Sequence, residues 1–208
     1  SEDYACVVWG LLELFQAGGD PVWFDWARSL QGTQHRLFWD EDGGGWFSTT
    51  GDDPTVLLRL KEEYDGAEPS AGSVAVWNLL TLAHLSGGDE ARAHADHVAK
   101  VERTLRRLTP SAQVARVVPM MMAAASTYWS GVPQVIIVGA RDAAGTIALH
   151  RVVTACFLPG AVSLVVEPGA HQTAIAERLP WVGAMAMRDG VPTAYLCRDF
   201  TCQAPVTD

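Results

Sequence analysis

Between Trp39 and Phe47 the chain reads Trp-Asp-Glu-Asp-Gly-Gly-Gly-Trp-Phe. The carboxylates of Asp40, Glu41 and Asp42 stand beside the rings of Trp39, Trp46 and Phe47. Aromatic faces stack on pyranose rings, and carboxylates take up hydroxyl hydrogens or act as acid and base. The segment is therefore a candidate sugar-binding surface. The same composition also fits an exposed acidic turn pinned by buried aromatic side chains. A second cluster follows: Arg59-x-Lys61, then Asp65-Gly66-Ala67-Glu68-Pro69-Ser70. Asp65 or Glu68 suits a general acid or base, with Arg59 or Lys61 as the neighbour that sets its pKa. Asp65-Gly66 is also a turn signal, and Ser70 is placed to cap a helix.

Other reactive side chains form weaker patterns. His94 and His97, at i and i+3 with Asp96 between them, share a helix face, but no second ligand pair lies at metal spacing, so no metal is expected. Cys197 and Cys202 have four residues between them. That is neither a redox Cys-x-x-Cys nor a zinc knuckle, which leaves buried thiols or an incidental pair. No G-x-G-x-x-G follows the strand ending at Gly139, and G-x-S-x-G and H-E-x-x-H do not occur. The sequence thus calls for no cofactor.

Helical hairpins must position these residues over the first two thirds of the chain. Ala5, Val8, Trp9, Leu11, Leu12 and Phe15 recur at helical spacing and predict a helix over Asp3–Ala17. Gly18-Gly19-Asp20-Pro21 stops it and starts the next, with Asp20 as N-cap and Pro21 in the first turn. The second helix is expected to run to Leu37, with Val22, Trp26, Leu30 and Leu37 on its buried stripe. Three consecutive glycines then predict a tight turn or short hairpin. Ser70 or Ser73 caps a helix reaching Leu85. Gly87-Gly88-Asp89 repeats the stop-and-start, and a helix over Glu90–Leu108 ends at Pro110. A last helix spans Pro119–Tyr128. After Pro133 the period changes: strand 134–139, helix 143–156, strand 162–166, helix 171–179 and strand 194–197. The expected fold is mainly α, with a helical-hairpin region at 1–130 and a small α/β segment at 131–208.

Composition narrows the function classes. The 208 residues carry 15 Lys plus Arg against 24 Asp plus Glu, a net charge of −9. Such a chain lacks the basic footprint of a nucleic-acid binder and the polybasic patch of a membrane-surface protein. No apolar run approaches the roughly 18 residues of a membrane span. Four cysteines are too few for a disulfide scaffold, so a reducing cytoplasm is the default. Ser1 leads straight into an apolar helix, which reads as a piece of something longer.

Several blocks carry a resemblance. Asp3-Tyr4-Ala5, Leu11-Leu12-Glu13-Leu14, Gly19-Asp20-Pro21, Phe38 to Phe47, Arg59-Leu60-Lys61, Tyr64 to Ser70 and Cys197 to Asp208 occur in order. Together they resemble the C-terminal part of the spermatogenesis-associated protein 20-like, thioredoxin-domain-containing family. The resemblance implies a parent roughly three times as long, with an N-terminal thioredoxin-like domain as a partner in the same chain. It implies that 1–130 is part of an (α/α) toroid of the six-hairpin glycosidase-like kind, related to sugar epimerases and hydrolases. Asp3, Tyr4, Arg59, Lys61, Asp65, Glu68 and Ser70 would lie near the cavity of that toroid. The family usually reads Pro-Ser-Gly-Asn-Ser where this chain has Pro69-Ser70-Ala71-Gly72-Ser73. Two functions stay open. One is acid–base chemistry on a carbohydrate, with Asp65 and Glu68 catalytic and Trp39 or Trp46 as stacking platform. The other is a non-catalytic module that binds carbohydrate or protein. A third, blander reading is a truncated product that exposes an apolar patch and self-associates.

Overall fold

The computed structural model describes residues 1–86, 91–108 and 112–208. The second Gly-Gly-Asp joint, at 87–89, and Pro110 lie outside the described residues.

The first helix, α1, spans Glu2–Gly18. Gly19 ends it at φ 71, where a side chain would be strained, and its N–H reaches the Phe15 carbonyl. Asp20 then accepts the Val22 N–H at 3.0 Å, and Pro21 opens α2, Pro21–Phe38. The expected buried stripe of α2 needs correction. Val22 and Trp26 are 52% and 50% exposed, and the buried face is Phe24, Ala27, Gln31, Gln34 and Phe38. The reason is local. Gln31 donates to Gln34 at 2.8 Å and Gln34 to the Ser1 carbonyl at 3.1 Å, so both amide N–H groups enter the interior with acceptors. Phe24 meanwhile packs on Phe15 with ring centres 5.2 Å apart.

Helix α3, Ala71–Leu85, is capped by Ser70, whose Oγ accepts the Ser73 N–H. It is buried almost throughout. Asn78 donates to the Ala5 carbonyl at 2.8 Å, which sets α3 beside α1 with their N-terminal halves together. Helix α4, Ala91–Leu108, turns Val101, Thr104 and Leu105 inward. A short helix α5, Ala112–Val117, was not legible in the periodicity. Helix α6 covers Pro119–Ser130, slightly longer than expected.

The last third is a four-stranded sheet with helices between strands. Strand β1 (Pro133–Val138) is followed by α7 (Ala144–Ala155) and β2 (Val162–Val166). Then come α8 (Ala170–Ala176), a 3-10 turn at Pro180–Ala184, β3 (Thr193–Arg198) and β4 (Thr201–Cys202). The order is β2-β1-β3-β4. β1 and β2 are parallel, joined by the α7 crossover, and the other pairs are antiparallel. The molecule is thus mainly α with a small α/β part. The change of period falls at 130–133, yet one buried cluster crosses it. Val8, Leu12, Phe15, Phe24 and Leu82 pack with Ile136, Leu164 and Ile175.

Candidate functional site

The acidic, aromatic turn folds inward. Trp39 and Trp46 form an antiparallel bridge across the glycines, with rings 4.9 Å apart, edge to face. Both are buried, at 7% and 4% exposure. Neither presents a free face, so the expected stacking platform is corrected: these rings are the core under the turn. His35 stacks on Trp46 and its Nδ1 accepts the indole N–H at 3.3 Å. Gly44 and Gly45 sit at φ 70 and 77, a conformation that suits glycine. That is what lets Asp40 fold back. Its Oδ1 accepts the N–H groups of Asp42 and Gly43, and its Oδ2 accepts from Lys61 Nζ at 2.5 Å. The Lys61 hydrogen bond, helped by these backbone donors, lowers the Asp40 pKa to about 2.

The second cluster is equally committed. Lys61 also donates to the Gly44 carbonyl. The Arg59 guanidinium lies 4.1 Å from the Phe47 ring centre and donates to the carbonyls of Thr49 and Leu37. Asp65 is buried, and its carboxylate collects backbone N–H groups. Oδ1 accepts from Ser70 at 2.8 Å, and Oδ2 accepts from Met120 at 2.8 Å and Met121 at 3.2 Å. Asp65 therefore caps α6 from outside and fixes the entry to α3. Ser70 caps α3. Glu68 is exposed near Cys6, whose thiol pKa burial pushes up, with Glu2, Glu68 and Asp3 adding to the rise. Asp3 is exposed in the first turn of α1, and Tyr4 tilts against Phe38 at 5.8 Å. The structure thus gathers these residues at the end of the molecule where α1 and α3 begin. Most of them are tied to backbone or to one another. At Gly72 an added Cβ meets nothing within 4 Å, so the space for a side chain is open.

His94 spends Nδ1 on the Ala83 carbonyl, and burial pulls His97 down to about 4. Among the described residues no group of three His, Cys, Asp or Glu side chains is arranged to hold a metal. Cys197 and Cys202 are a disulfide across β3 and β4, so the buried-thiol reading gives way to the pair. Among the described residues no helix is long and apolar enough to cross a membrane.

Sequence reasoning missed an open cleft of about 400 Å³ at the other end of α1 and α3. Trp9, Glu13 and Gln16 of α1 face Trp77 and Thr81 of α3, and His150 and Thr154 of α7 close the far wall. Both Trp rings are half-buried. The Trp9 indole N–H donates to Glu13 Oε1 at 3.2 Å, which fixes the ring. Gln16 Oε1 accepts the Ser163 N–H at 3.0 Å, which fixes that amide. The arrangement offers two aromatic surfaces, a carboxylate, an amide, hydroxyls and an imidazole to one ligand. The signal was in the sequence as Trp9 and Glu13 one helical turn apart, but Trp9 reads equally well as core.

No family profile matches the chain. Spermatogenesis-associated protein 20 of Homo sapiens is 37% identical across the whole of it. The Rattus norvegicus and Mus musculus proteins of that name are 36% and 35% identical over the same span. The chain is a relative of spermatogenesis-associated protein 20. It spans about a quarter of the length of those proteins, 26% in each. The match to spermatogenesis-associated protein 20 runs through the helices and the sheet alike, since all of this chain is aligned.

Proposed function

We propose that this chain is the C-terminal part of a longer cytoplasmic protein and binds a neutral carbohydrate through the Trp9–Trp77 cleft without turning it over. The observation that carries the reading is the cleft itself: two half-buried indoles, that of Trp9 held by Glu13, flanked by a carboxylate, an amide and hydroxyls. Stacking on ring faces and hydrogen bonding to hydroxyls is how proteins hold sugars. The longer relatives support a parent chain, and the resemblance supplies its other parts: a thioredoxin-like domain and the rest of an (α/α) toroid. The side-by-side setting of α1 and α3 fits such a toroid. Acid–base chemistry by Asp65 and Glu68 has less support, because three backbone N–H groups already occupy the Asp65 carboxylate.

The test is a thermal-shift and calorimetric screen of neutral mono- and oligosaccharides. A binder should raise the melting temperature and remain chemically unchanged. Trp77→Ala should weaken that binder about tenfold or more. A panel in which no sugar shifts the melting temperature or releases heat would overturn the reading.

A further inference from the structure

β3 and β4 are joined by two residues, Asp199 and Phe200, at φ 46 and 62. Two consecutive positive φ values define the tightest hairpin turn, which ordinarily takes Asn-Gly. A Phe in that position is strained, and such strain persists only where the surroundings hold it. Here they do. Asp199 Oδ1 accepts the Val132 N–H at 3.1 Å and lies 3.0 Å from His84 Nε2. The Phe200 N–H donates to Gln134 Oε1 at 2.8 Å. Its ring lies parallel to His84 at 5.9 Å and meets the edge of Trp181 at 5.5 Å.

Past the turn the ladder is thin: Gln203 donates to the Leu196 carbonyl at 2.9 Å, and Val206 bridges Ala194. β4 is two residues long and pairs with β3 alone among the strands. The covalent closure is Cys197–Cys202, register partners one step beyond the Arg198–Thr201 pair that flanks the turn. The two residues differ in access: Cys197 is buried and Cys202 is exposed. The turn also forms one wall of a cleft of about 340 Å³, shared with His84, His94, Tyr128 and Trp129.

We propose that Cys197–Cys202 is a reducible latch, opened by a dithiol reductant, that holds Asp199 and Phe200 against His84 and so sets the shape of this cleft. The exchange balances. A thiolate of the reductant attacks the sulfur of exposed Cys202, the S–S bond breaks, and Cys197 leaves as a thiolate that takes a proton. The second thiol of the reductant then attacks the mixed disulfide and releases Cys202. Two electrons pass to the protein, and the reductant leaves as its own disulfide. With the closure gone, the strained turn rests on the Arg198–Thr201 pair, the Gln203 N–H bond to the Leu196 carbonyl and the side-chain contacts of Asp199 and Phe200. The Asp199 and Phe200 contacts then open far more often.

Thiol counting and amide exchange on the full chain test this. Protein purified without reductant and alkylated in denaturant should carry two labels, on Cys6 and Cys156, and four after reduction. Reduction with dithiothreitol should speed exchange at Val132, Phe200 and Gln203 about tenfold or more while Ile136 and Val138 stay protected. Cys202→Ser should show the fast pattern without reductant. If that variant does not fold, the wild-type comparison still decides. Four labels before reduction would overturn the proposal, and so would unchanged exchange in the reduced protein.

Discussion

Oδ2 of Asp65 lies 2.8 Å from the backbone nitrogen of Met120, a residue 55 positions further along the chain. One buried carboxylate therefore ends the long loop after α2, opens α3 through Ser70 and caps α6. A side chain that looks catalytic by type and spacing is, by position, a joint between three elements.

That role sets the first expectation. Asp65→Ala leaves the buried N–H groups of Ser70 and Met121 and the partly buried one of Met120 without acceptors. The loss of stability should be about 3 kcal/mol. Asp65→Asn, which keeps one acceptor, should cost less. Urea unfolding followed by circular dichroism measures both. A variant as stable as the parent protein would remove Asp65 from the joint.

The Asp40–Lys61 pair gives a second. With the ammonium replaced in Lys61→Met, the Asp40 pKa should climb from about 2 toward its ordinary value near 3.8. A carboxylate with a depressed folded pKa adds stability above its unfolded value, and that stability fades as pH falls toward 2. The variant should therefore lose less stability than the parent protein between pH 4 and 2. Carboxyl-carbon NMR titration and acid unfolding read the two effects.

His35 and His97 give a third. Burial, the largest cause for each, pulls their pKa values to about 3 and about 4. The unfolded chain binds these protons near pH 6.5 and the folded chain does not, so stability falls as pH drops from 6.5 toward 4. The slope for two groups approaches about 2.7 kcal/mol per pH unit, or 1.36 for each. In His97→Gln about half of that slope should disappear. A parent protein whose unfolding midpoint is flat from pH 6.5 to 4.5 would contradict the burial of both rings.

Position 72 provides the fourth. Gly72 lies in the first turn of α3 with open space where a Cβ would go. Gly72→Ala should stabilise the protein by about 0.5–1 kcal/mol, through helix propensity and a less flexible unfolded chain. Denaturant unfolding with an unchanged slope is the check.

Much of the fold was legible because its signals are local. Gly19, Asp20 and Pro21 mark a helix end and a helix start within three residues, and Ser70 announces α3 in the same way. β1 and β2 read as apolar runs because they are buried. The stripe of α2 departs from hydropathy because hydropathy cannot foresee that the Gln31 amide N–H finds Gln34 inside, while Trp26 stays out against Trp23. The two-residue strand β4 depends on pairing and leaves no pattern of its own. Lys61, Asp65 and Glu68 stand out as a cluster from their spacing, whereas Asp3 joins them only through the family resemblance. Ser70 is near Asp65 in the chain, but Asp40 lies 21 residues from Lys61 and Met120 and Met121 lie 55 and 56 from Asp65, and no spacing rule reaches those partners. The Trp9–Trp77 cleft was hidden for the same reason: its walls come from α1, α3 and α7.

The most direct test of the carbohydrate reading follows the eight indole N–H signals by NMR while a neutral oligosaccharide is added. The account predicts that the Trp9 and Trp77 signals move in a saturable way, while those of buried Trp39 and Trp46 stay in place. Movement of Trp39 and Trp46 instead, or of none of the eight, would contradict it.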